Sequence, residues 1–102
     1  MIGDLFGNIN EQQEQLKQQL EQIEITETSQ NQEVTITISG AKNLRDISID
    51  PEKIDANDLQ QLEDLLLITL NNAMDKAEKL AAEETQKLIQ DMLPPGLGNM
   101  FG

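Results

Sequence analysis

The sequence predicts an α+β fold, an α-β-β-β-α subunit in which long N- and C-terminal helices flank a three-stranded antiparallel sheet. Three observations predict it. Ile2, Ile9, Leu16 and Ile23 recur at heptad spacing, which is helical. Val34, Ile36 and Ile38 alternate with Thr35, Thr37 and Ser39, which is strand periodicity in β-branched residues. From Leu59 a helical stripe returns and runs to Leu88 over about eight turns, and Met92 and Leu93 finish it. The chain has 102 residues, enough for one domain, expected over 1–93, and not comfortably for two.

The first helix is expected over about 2–22. Phe6 and Leu20 stand three residues before two heptad positions and complete an a/d-type seam. Gln13 holds the matching place before Leu16. Ile9, Gln13, Leu16 and Leu20 are therefore seam candidates, against either the chain's own core or a second copy. A buried amide in such a seam fixes register. The other positions are mostly Gln and Glu, which favour helix.

The strands are expected over about 23–50. Ile23 and Ile25 alternate with Glu24 and Thr26. Ser29-Gln30-Asn31-Gln32 is a polar break that reads as a hairpin loop. After the second strand, Gly40 and Asn43 supply turn chemistry. Leu44, Ile47 and Ile49 mark a third strand, and their change of spacing signals a bulge. Short connections make an antiparallel meander with one face left for helices. The second helix is expected over about 58–92. Asp58 with Gln61 resembles a capping box. Leu62, Leu66, Leu70, Ala73, Ala77 and Leu80 form its stripe, in which Ala73 and Ala77 permit close approach. Pro94-Pro95-Gly96 stop it. Residues 94–102 are expected to be a flexible tail.

Cysteine and histidine are absent. No disulfide, thiolate nucleophile, Cys-based zinc site or histidine base is available. Adjacent acids such as Glu63-Asp64 and Glu83-Glu84 diverge around a helix and make no catalytic pair. Asp55 and Asn57 have calcium-loop spacing, but the Gly and Glu that such a loop needs are missing. Gly40 stands alone, so Ser39-Gly40-Ala41-Lys42 is a turn and not a phosphate loop. No catalytic residue, metal site or cofactor is expected. Met1-Ile2-Gly3-Asp4 lacks the basic and apolar regions of a signal peptide. The longest apolar run, Leu65 to Ile68, is too short to span a membrane. A cytoplasmic binding protein is the expectation. The two aromatic residues, Phe6 and Phe101, lie near the termini. The core is therefore aliphatic and thin, which favours a homodimer.

The net charge is −12, from 19 acids against seven bases. Asp75, Lys79 and Glu83 have ion-pair spacing on a helix. Such charge repels polyanions at long range.

Several segments, in this order, resemble the YbaB/EbfC family of bacterial nucleoid-associated proteins. They are the Gln/Glu-rich first helix leading into Glu24-Ile25-Thr26, then Val34-Thr35-Ile36-Thr37-Ile38-Ser39-Gly40-Ala41, then Ile47-Ser48-Ile49-Asp50-Pro51. Leu62-Glu63-Asp64-Leu65, Glu84-Thr85-Gln86-Lys87 and Leu93-Pro94-Pro95-Gly96 follow. The resemblance implies a non-enzymatic cytoplasmic homodimer of the nucleoid that binds double-stranded DNA through projecting helical arms. Lys17, Lys42 and Arg45 are then the candidates for phosphate contacts. Residues 1–27 hold one base, Lys17, against six acids, so binding is expected to be weak. The same acidity suggests an alternative, an acidic protein-protein interaction module with an unknown protein partner and no direct DNA binding.

Overall fold

The computed structural model describes the backbone of residues 2–92 and the side chains of residues 11–91. The order is helix α1 (Ile2–Gln22), strands β1 (Glu24–Thr28), β2 (Val34–Ser39) and β3 (Leu44–Ile49), a short 3-10 turn (Pro51–Lys53) and helix α2 (Leu59–Met92). The strands form one antiparallel sheet in the order β1-β2-β3. This is the α+β class that the periodicities predict. The expected tail, 94–102, lies outside the described residues.

Both hairpins contain the same tight turn, although the first loop is one residue longer. Gln32 N–H donates to the Ser29 carbonyl, and Lys42 N–H to the Ser39 carbonyl, each at 2.9 Å. In each turn the closing residue is left-handed, Gln32 at φ 65° and Lys42 at φ 69°. A single left-handed residue after a tight turn restores the strand twist. In the second turn Lys42 takes this position, between Gly40 and Asn43. Gly40 meets a different need. A Cβ there would lie 2.8 Å from the Leu20 carbonyl oxygen, so the end of α1 rests on this turn because no side chain intervenes.

The register places Ile25, Glu27, Val34, Ile36, Ile38, Leu44, Ile47 and Ile49 on one face of the sheet. The other face carries the threonines, with hydroxyls facing across β1 and β2 at 3.4 Å (Thr26, Thr37) and 3.3 Å (Thr28, Thr35). Between Thr37 and Ile38 the register slips, and Arg45 becomes the extra residue of a bulge. α2 lies across β1 and β2. Its Ala73 and Ala77 are buried against Ile36 and Ile38, with Ile25, Leu66, Leu70 and Met74 packed around them. Asp58 caps the helix by accepting the Gln61 N–H at 3.1 Å.

β3 is left bare. Leu44, Ile47 and Ile49 are 51%, 45% and 40% exposed, although they share the face of the buried Val34, Ile36 and Ile38. One helix, about 10 Å across, covers roughly two strands at their ~4.8 Å spacing and cannot cover three.

α2 has 34 residues, about 51 Å of helix, whereas a six-residue strand spans about 20 Å. Its C-terminal half therefore overruns the sheet and runs beside α1. Leu16 and Gln19 there share a groove with Glu84 and Leu88. Of the seam candidates, Leu20 is buried within the subunit, Leu16 is half-buried and Gln13 is exposed. The side chain of Ile9 lies outside the described residues.

Candidate nucleic-acid interface

A polyanion-binding surface needs cations free to meet phosphate. The left-handed backbone at Lys42 carries its side chain across to α2, where Nζ lies 2.8 Å from Glu78 Oε1. The Lys42 hydrogen bond and charge outweigh desolvation and hold the Glu78 carboxyl below its ordinary range. Arg45 Nη2 donates to Glu21 Oε2 at 2.8 Å and to the Glu21 carbonyl oxygen at 3.0 Å. Lys76 pairs with Glu27, and Lys87 with Glu84 at 3.4 Å. Among the described residues, Lys17, Lys53 and Lys79 form no ion pair. The spacing of Asp75, Lys79 and Glu83 therefore does not close into one.

Lys17 and Lys42 converge on one open groove of about 330 Å³, floored by Leu16, Leu20, Ala41 and Ala81. Arg45 stands apart from that groove, turned towards the last turn of α1. The partners Glu21 and Glu78 carry no local signal, because they lie 24 and 36 residues from the bases they hold. The broken spacing in β3 is the one trace of Arg45's special position.

A second concavity, of about 600 Å³, opens beside the β1–β2 turn between Thr28, Thr35, Ser48 and Lys53. Its buried carboxylate, Glu33, accepts the Ser29 hydroxyl at 2.9 Å and the Asn31 N–H at 3.0 Å. Its own backbone N–H, then Ser29, Asn31 and the Lys53 charge, hold Glu33 below its ordinary range against the opposing effect of burial. This network closes the turn. Among the described residues no group of three or more carboxylates could hold a metal ion. No described helix is long and apolar enough to cross a membrane.

The sequence model of the YbaB/EbfC DNA-binding family matches residues 1–92. A nucleoid-associated protein of Clostridium acetobutylicum is 37% identical over 86 residues, covering 84% of this chain and 77% of that one. A nucleoid-associated protein of Neisseria meningitidis serogroup A is 37% identical over 105 residues, covering 98% and 94%. The crystal structure of an uncharacterized Helicobacter pylori protein superposes with a TM-score of 0.72 at 19% identity, covering 86% of this chain and 92% of that one. That likeness establishes the fold. With the family model matched over residues 1–92, from the first residue to the end of α2, this chain belongs to the YbaB/EbfC DNA-binding family.

Proposed function

We propose that the chain is a non-enzymatic homodimer that binds double-stranded DNA through its helical arms at the nucleoid. The bare apolar strip of β3 carries the dimer. Two ion pairs mark the flanks of α2, Lys76 with Glu27 on β1 and Glu78 with Lys42 at the β2–β3 turn. Met74 and Leu67 precede Glu78 by four and eleven residues, so they lie on its flank, beside β3. Leu67 is 62% exposed. Leu44, Ile47, Ile49 and Leu67 thus extend one apolar surface from sheet to helix, the kind of surface that marks an interface. A second copy covers both strips at once, because a two-fold contact is self-complementary. Such a dimer carries two arms on one body, each made of α1 and the overrunning half of α2.

Family membership supports DNA as the ligand, and the relatives' names support the nucleoid as the location. Both favour this reading over an acidic protein-interaction module. Carboxylates already hold Lys42 and Arg45, so Lys17 leads the phosphate contacts. One lysine from each protomer corresponds to a slope of about −2 in log affinity against log salt. Light scattering tests the dimer and is expected to give twice the mass of one chain. A single-chain mass contradicts it. Duplex titration at about 50 mM salt tests the ligand, and no binding at micromolar dimer contradicts that half.

A further inference from the structure

We propose that Glu21, Asn43 and Arg45 form a socket that fixes the pitch of α1 against the sheet. Arg45 is then a positioning residue for the arm and not a phosphate contact. Its effect on DNA affinity rests on the arm reading given above, but the pitch is a property of one protomer.

The observations converge on the last turn of α1. Arg45 is the extra residue of the β3 bulge, and bulges re-aim side chains out of strand alternation. It is aimed at Glu21. The same Nη2 serves the Glu21 carboxylate at 2.8 Å and the Glu21 carbonyl at 3.0 Å. The last carbonyls of a helix lack intrahelical donors and form the negative end of its dipole. A guanidinium placed there satisfies an orphan acceptor as well as a carboxylate. Asn43 Nδ2 donates to the other carboxylate oxygen, Glu21 Oε1. Gly40 N–H donates to the Ile23 carbonyl at 2.9 Å, and its missing side chain admits the Leu20 carbonyl. One hairpin therefore grips α1 by a side chain, a helix-end carbonyl and the chain that follows it. Nη2 spends its hydrogens on Glu21, and the Glu21 carboxylate already offsets the guanidinium charge, so Arg45 offers a phosphate little net attraction. Lysine keeps the charge at this position, but its Nζ lies one bond nearer the backbone than Nη2 and falls short of both acceptors.

Two conservative substitutions separate the roles. Arg45→Lys preserves charge. Glu21→Gln removes a negative charge from an acidic arm, so electrostatics alone would tighten DNA binding. The chain lacks cysteine, so Gln18→Cys on the exposed side of α1 and Ser48→Cys on the outer face of β3 give two unique spin-label sites. Labelled protein diluted into unlabelled protein reports the distance within one protomer by pulsed EPR. The socket predicts a narrow distribution in this parent. It predicts a broadened and displaced one after either Arg45→Lys or Glu21→Gln. It also predicts that both substitutions weaken duplex binding, by about fivefold at the upper end for an exposed ion pair. Distributions that stay narrow in both variants overturn the proposal, as does tighter DNA binding by Glu21→Gln. If the parent binds no duplex, the DNA reading fails while the distance distributions still decide the socket.

Discussion

Lys42 and Gly40 occupy one turn and show how little residue type alone reveals about role. Lys42 takes the left-handed position and reaches Glu78, whereas Gly40 makes room for the end of α1. Gly40→Ala is expected to destabilise the fold by about 1–3 kcal/mol, because backbone must shift to admit the methyl group. A urea melt reads that loss. Glu33 yields a pH prediction. Its folded pKa is depressed, so its contribution to stability is present above its unfolded value and is lost as pH falls through the folded one. Glu33→Gln should flatten the acid limb of a thermal-stability profile below the ordinary glutamate range and remove part of the stability at neutral pH. The types of these residues are legible in the sequence. Their partners are not, because Glu21 is one of many acids and the fold alone brings it to Arg45.

At the scale of elements, periodicity is local and therefore readable. The heptad-spaced segment forms α1 as far as Gln22, the alternating segment forms β2 and the alanine-striped segment forms α2. The alanine stripe gives a paired test. Ala77 is buried against the sheet and Ala82 is exposed. Ala77→Leu should cost about 1–3 kcal/mol by overpacking. Ala82→Leu should stay within about 0.5 kcal/mol of the parent in the same denaturation experiment. The bareness of β3 was not readable. An alternating apolar strand has one pattern whether or not its own helix covers it, and helix width decides that.

For the whole molecule, that bare strip and the scarcity of free cations set the behaviour. Ile47→Glu puts a charge in the middle of the strip and far from the arms. It should convert the proposed dimer to single chains in light scattering, with the helical signal of each chain retained. Loss of the arm pairing should weaken duplex binding with it, because each protomer then brings its few bases alone. The net charge of −12 limits how many phosphates the proposed dimer can neutralise and keeps the salt dependence of its affinity shallow. The most direct measurement is a fluorescence-anisotropy titration of duplex DNA from about 50 to 200 mM salt, with the parent and Lys17→Gln side by side. Binding at micromolar dimer in low salt, a slope of about −2 and its loss in Lys17→Gln are predicted. A parent that leaves the duplex free at the lowest salt, or a Lys17→Gln variant that binds like the parent, would contradict the account.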